Sequence, residues 1–134
     1  MKVSTKVSVG VTVLHVWPDG AELRRTPVQP ASANRRERVL EAELASDGSA
    51  VVSVREQVTG TDAAGIRSTY QAEGTRSERF ERQLRGLFPG LHLVSQEFED
   101  LADLETPVRY QYRAEVPQMA QRDGDRLRVA MTTL

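Results

Sequence analysis

The apolar positions of this chain fall mostly at a spacing of two. Val3, Val7, Val9, Val11 and Val13 alternate with Ser4, Lys6, Ser8, Gly10 and Thr12. Successive side chains of a strand point to opposite faces, so the alternation predicts a half-buried β-strand. Trp17-Pro18-Asp19-Gly20 carries turn chemistry, and a two-residue Asp19-Gly20 loop would set Val16 opposite Leu23 in a hairpin. Residues 26–34 hold two prolines and no period, and read as a connector.

The next hairpin is clearer. Leu40, Ala42 and Leu44 alternate with Val39, Glu41 and Glu43. After Ser46-Asp47-Gly48-Ser49, Val52, Val54 and Val58 lie on one parity and Ser53, Arg55 and Gln57 on the other. A two-residue Asp-Gly loop would oppose Glu43 to Val52 and mix the faces. An odd loop with Gly48 in the left-handed region pairs Leu44 with Val52, Ala42 with Val54 and Glu41 with Arg55. This register keeps apolar with apolar, at the cost of Glu56 opposite Leu40 on the inner parity.

A switch of period to helical spacing follows. Gly60-Thr61-Asp62 can cap a helix carrying Ala63, Ala64, Ile66 and Tyr70. Thr75 with Glu78 fits a capping box, and Phe80, Leu84, Leu87 and Phe88 share one face of a second helix. Glu78–Arg82 and Glu81–Arg85 are favourable pairs one turn apart, and Pro89-Gly90 stops the helix. Leu91 to Phe98 reads as a strand. Tyr110, Tyr112, Ala114 and Val116 alternate with Arg109, Gln111, Arg113 and Glu115 in another. Leu127, Val129 and Met131 make the last strand, expected to pair with Tyr112 opposite Met131, Ala114 opposite Val129 and Glu115 opposite Arg128.

About seven strands, with helices inserted mid-chain at about 61–70 and 76–88, predict a mainly β (α+β) fold. The expectation is one antiparallel, sandwich-like domain over residues 1–134, residues 1–25 forming an N-terminal strand or hairpin. One apolar face per strand demands a second layer. That layer is another sheet, the helix bearing Phe80, Leu84 and Phe88, or both.

Composition narrows the chemistry. The 134 residues carry 18 basic and 19 acidic side chains, a net charge of −1 that argues against a nucleic-acid partner. With no cysteine there is no disulfide, thiolate metal site or cysteine nucleophile. Met1 to Trp17 lacks the continuous apolar block of a signal peptide or membrane span, so membrane insertion is not expected. Lysine is scarce, two against sixteen arginines, which reads as coding bias.

His15 and His92 are the only imidazoles, each in a strand context without a motif, and read as surface or packing residues. The acidic turn from Glu97 to Glu105 lacks the ligand spacing of a calcium loop and reads as solvated. Arg76, Arg79, Arg82 and Arg85 recur every third residue, but Glu78 and Glu81 between them point to a solvated helix face. Tyr110 and Tyr112 share parity with Ala114 and Val116 and belong to the core. Trp17 alone is no stacking platform. Phosphate loops, His-Glu zinc motifs and Gly-x-Ser-x-Gly elbows do not occur. No catalytic, cofactor-binding or metal residue is therefore assigned.

Several short motifs stand in a telling order: Thr26-Pro27 and Pro30-Ala31 before Asn34-Arg35-Arg36; Ala45-Ser46-Asp47-Gly48-Ser49-Ala50; Thr59-Gly60 with Ala63-Ala64 and Arg67; Phe88-Pro89-Gly90; and Leu101-Ala102-Asp103-Leu104 leading to Pro107-Val108. From Thr26 to Val129 the chain resembles the β domain that follows the catalytic core in bacterial multidomain transglutaminase-like proteins. In that family a papain-like core upstream carries a Cys-His-Asp triad. None of its catalytic residues has a counterpart here. The resemblance implies a non-catalytic accessory domain without cofactor, docking on a neighbouring domain of the same polypeptide or another protein, in proteins that are frequently exported to the periplasm. The alternative is an independent ligand-binding module or small hydrolase using His15 or His92 with nearby carboxylates.

Overall fold

The computed structural model describes residues 10–28, 30–99 and 101–129. Strand accounts for 46% of these residues against 24% helix, so the fold is mainly β, with eight strands in antiparallel sheets and no closed barrel. The chain divides into two compact units, Met1–Asn34 and Arg35–Leu134.

The first unit is a two-stranded ribbon of β1 (Thr12–Trp17) and β2 (Gly20–Arg25). The part of the expected first strand from Val3 to Val9 lies outside the described residues. The turn is Pro18-Asp19 rather than Asp19-Gly20, so Val16 faces Ala21 and Leu14 faces Leu23. Proline's fixed φ suits the first turn position. Gly20 is then free to pair with Trp17, whose indole lies 3.4 Å from where a Cβ on Gly20 would stand. Beyond β2 the ladder continues through Thr26, whose N–H donates to the Val11 carbonyl at 2.9 Å. The connector contains a short 3-10 turn at Ala31–Ala33.

The second unit holds β3 (Arg36–Leu44), β4 (Ala50–Val58), α1 (Thr61–Tyr70), α2 (Glu73–Leu87), β5 (His92–Phe98), β6 (Val108–Val116), β7 (Ala120–Asp123) and β8 (Arg126–Val129). A four-stranded antiparallel sheet has the order β3-β4-β6-β5. The two strands with the most continuous apolar parity take its centre: Val52, Val54 and Val58 of β4 and Val108, Ala114 and Val116 of β6 are at most 2% exposed. The layer that covers them is the helix pair, α1 against β6 and α2 against β5.

In the core, the Phe80 ring meets Tyr70, Phe98, Tyr110 and Tyr112 edge-on, at centroid distances of 5.5, 5.2, 5.7 and 5.2 Å. This is the arrangement that aromatic quadrupoles favour. Leu84 is buried beside them and Phe88 half-buried, whereas Leu87, expected on the same face, is 58% exposed at the last helical residue.

The β3–β4 register differs from expectation by two residues. Leu44 faces Ala50, Ala42 faces Val52 and Leu40 faces Val54. The turn is centred on Asp47 rather than Gly48, with Ala45 N–H bonded to the Ser49 carbonyl, and Asp47 Oδ1 accepts hydrogen bonds from the Ser49 N–H and hydroxyl, at 2.9 and 2.6 Å. These bonds hold the Asp47 carboxyl below its usual range, the Ser49 hydroxyl contributing most. A shift of two leaves every side chain on its expected face. It also brings Glu56 opposite Arg38 instead of Leu40. Gly48 has φ 90°, the left-handed conformation the turn needs.

Helix α2 starts at Glu73, two residues ahead of the Thr75–Glu78 capping box, and no side chain caps it. Only Gln71 and Ala72 separate it from α1, so the helix begins before Thr75 can serve as a cap. The predicted Glu78–Arg82 and Glu81–Arg85 ion pairs form.

The C-terminal strand does not join β6. Both edges of β6 are occupied: Ala114 faces Val52 on β4 and Leu93 on β5. Val129 of β8 pairs instead with Ala120 of β7, and Arg128 with Gln121. Met131 lies outside the described residues. The Ala120 N–H donates to the Gly48 carbonyl at 2.9 Å, tying β7 to the β3–β4 turn.

Candidate functional site

Because the helices cover one face of the four-stranded sheet, the other parity of its strands forms an open face. Cross-strand register orders that face in rows. Glu41, Ser53, Arg113 and Ser95 form one row, and Val39, Arg55, Gln111 and Glu97 the next. Glu37, Gln57 and Arg109 follow, with Glu99 just past the end of β5. In these rows arginines occupy the two central strands and carboxylates the outer ones, while Glu115 of central β6 lies on the same face in the next row, opposite Val51 and His92.

Part of this pattern is internally satisfied. Gln111 donates to Glu97 at 2.7 Å and Arg109 to Gln57 at 3.0 Å, with Glu99 at 3.7 Å from the Arg109 guanidinium. The side chains of Arg55 and Arg113 make no hydrogen bond or ion pair among the described residues. Between Val39, Arg55, Gln57, Glu97 and Arg109 lies a shallow depression of about 230 Å³.

The sheet's two edges differ. Strand β5 is interrupted by a bulge between Leu93 and Ser95. Strand β3 is regular over nine residues without glycine or proline, and seven of the nine are exposed. Within its unit, and among the described residues, β3 pairs only with β4.

The residues singled out by their chemistry do not converge. His15 lies in the ribbon opposite Glu22, its ring edge-on to Trp17 at 5.4 Å. His92 opens β5, two-thirds exposed, with Nδ1 3.7 Å from Glu81 Oε1. The two histidines belong to different units. In the acidic turn, Glu97 and Glu99 face Gln111 and Arg109, while Asp103 accepts the Glu105 N–H at 2.9 Å. Asp100 lies outside the described residues. Among the described residues no three of these acidic or imidazole groups gather as a metal site, and no helix is long and apolar enough to cross a membrane.

The arginine stripe of α2 has a partly structural use that spacing did not reveal. Arg76 donates to the Tyr70 and Gln71 carbonyls at 2.6 and 3.2 Å, and Arg79 to that of Thr69 at 3.4 Å. These are carbonyls at the end of α1, where helical partners run out and the dipole favours a cation. Arg76 also lies over the Phe98 ring at 5.6 Å.

Two polar residues occupy buried positions, one of them, Arg67, not expected there. Arg67 of α1, 9% exposed, donates to the Thr106 carbonyl and so holds the loop before β6. Glu56, 4% exposed, sits on the core side of β4 between Arg38 and Tyr110. Its inner parity was expected, but the residue opposite is Arg38 rather than Leu40. Burial raises the Tyr110 phenol, and the Glu56 charge adds to the effect.

Compared with known proteins, the chain matches no family model, no curated protein and no solved structure.

Proposed function

We propose that this chain is a non-catalytic accessory domain that binds a neighbouring domain of the same polypeptide or another protein, in the manner of the β domain downstream of a bacterial transglutaminase-like core. The observation that carries the reading is the one-sided sheet. Its helices cover one face; within this unit and among the described residues the other face carries no further layer, and β3, exposed at seven of nine residues, pairs only with β4. A sheet built this way has a ready surface for a partner and a rigid backing for it. Nucleophilic catalysis, by contrast, needs a base held against a nucleophile. Neither His15 nor His92 has a serine or threonine hydroxyl within hydrogen-bond reach among the described residues.

Two measurements test this. Esterase, peptidase and amidase substrates should show no turnover with the wild-type chain. Turnover that the His15→Ala/His92→Ala double variant loses while keeping its circular dichroism would overturn the reading. If the same reading frame encodes a Cys-containing papain-like core, core and domain produced separately should give a saturable heat on mixing. No heat would overturn docking on that core.

A further inference from the structure

We infer that the free edge of β3 accepts an extended segment of another protein by strand addition, and that this segment alternates apolar residues with lysine or arginine. The inference rests on the accessory-domain reading and names where the partner binds and what it looks like.

The backbone supplies the first argument. The Thr59 N–H donates to the Arg35 carbonyl at 2.9 Å, and the Ala45 N–H to that of Ser49 at 2.8 Å. In an antiparallel pair, residues bonded to the partner strand alternate with residues whose groups turn away. The odd residues of β3 therefore face β4. Arg36, Arg38, Leu40, Ala42 and Leu44 turn their N–H and C=O groups outward. Such an edge is a template for another strand unless it is blunted by proline, bulges or brevity. β5 is blunted by its bulge, whereas β3 has no proline, bulge or glycine, and its inward-facing charges, Arg36 and Arg38, are confined to its first three residues and taken up by Glu56.

Side chains supply the second argument. On the inner face, Leu40 packs against the core at its margin, and Leu44 beyond it is 41% exposed. Apolar residues on an added strand would extend the core there. On the outer face, Glu37, Glu41 and Glu43 line the edge. Arg35 engages Glu37, while the side chains of Glu41 and Glu43 make no ion pair or hydrogen bond among the described residues. Basic residues opposite them would complement the edge, since unlike charges directly across a ladder are favourable.

A second copy of β3 fits poorly. Two-fold antiparallel pairing keeps like faces together. Every such register of about seven residues or more then sets a glutamate of one copy opposite a glutamate of the other, Glu37 with Glu41, Glu37 with Glu43 or Glu41 with Glu41, which is repulsive. The occupant is thus a different, basic strand.

Two eight-residue probe peptides test this, one alternating Val and Lys and one alternating Val and Glu. With the Val/Lys peptide, amide exchange should slow at the outward-facing residues of β3, and added salt should weaken the effect. The Val/Glu peptide should leave exchange unchanged. Ala42→Pro removes one outward N–H while leaving the bonds to β4, as edge strands allow. It should weaken binding about tenfold, roughly one hydrogen bond. Unchanged exchange with both peptides would overturn the inference. So would a concentration-dependent dimer that Ala42→Pro abolishes, because the occupant would then be a second copy. Perturbation confined to Arg55 and Arg113 would overturn the edge assignment and leave the accessory-domain reading standing. Hydrolytic turnover would overturn that reading alone.

Discussion

Glu56 and Arg38 stand directly opposite each other on β4 and β3, and the Arg38 Nε donates to Glu56 Oε2 at 2.7 Å. The Glu56 side chain is 1% exposed and that of Arg38 22%. Arg36 Nη1 lies 3.1 Å from the other carboxylate oxygen but off the hydrogen-bond direction. The hydrogen bond to Glu56 raises the Arg38 guanidinium, against the opposing effect of burial. A charge taken out of water is tolerated when paired and costly when its partner is removed.

Arg38→Met should therefore destabilise the protein by about 3 kcal/mol, because it leaves the buried carboxylate with only the partly exposed Arg36. Arg38→Met/Glu56→Leu should recover most of that loss, since an apolar pair needs no desolvated charge. Urea unfolding of the two single variants and the double variant completes the cycle. Additive losses would show that the two residues do not act as a pair.

The aromatic cluster turns on Phe80. Phe80→Ala should cost about 3–5 kcal/mol and Leu84→Ala about 2–5 kcal/mol, the ranges for large-to-small changes in a core. Leu87→Ala, one turn on and exposed, should stay within about half a kcal/mol. Equal losses at Leu84 and Leu87 would contradict the packing of α2.

Gly48 is constrained twice. Its φ of 90° is unfavourable for a branched residue, and a Cβ there would overlap the Ala120 carbonyl oxygen. Gly48→Val should cost more than about 1 kcal/mol from backbone strain alone. It should also loosen β7, which nuclear magnetic resonance would detect as faster exchange of the Ala120 amide.

The three tyrosines, Tyr70, Tyr110 and Tyr112, are all pushed above the ordinary phenol range, chiefly by burial. Burial disfavours the charged phenolate, so the folded state holds its phenol protons more tightly than the unfolded chain. The resulting stability is fully present below about pH 10, the unfolded value, and is lost as pH rises through the higher folded values. Absorbance near 295 nm should show less than half ionisation at pH 10 in buffer. In guanidinium, half ionisation should fall near that pH. Coincident curves would contradict the burial of these rings.

Much of the fold was legible because strand and helix leave different periods in a chain. Val52, Val54 and Val58, or Tyr112, Ala114 and Val116, announce both a strand and its buried face. Phe80 and Leu84 announce the helix that covers it. The β3–β4 register was legible only to its parity. The turn centres on Asp47, where its carboxylate binds Ser49, and hydrophobic alternation does not encode such local hydrogen bonds. The candidate site was legible least. Glu41 and Glu43 look like ordinary solvent-facing residues until it is known that β3 lies at an edge.

What the sequence determined by itself, then, is local: which segments are extended or helical, which parity is apolar, and where glycine must open a turn. These follow from side-chain spacing and backbone sterics, which act between near neighbours. The tertiary structure alone decided that β6 sits between β4 and β5, that β8 turns back on β7, and that Arg76 and Arg79 close the end of α1. It also decided that Glu56 meets Arg38. Those outcomes depend on which surfaces compete for the same partner across long stretches of chain, and that competition is resolved only when the whole core packs.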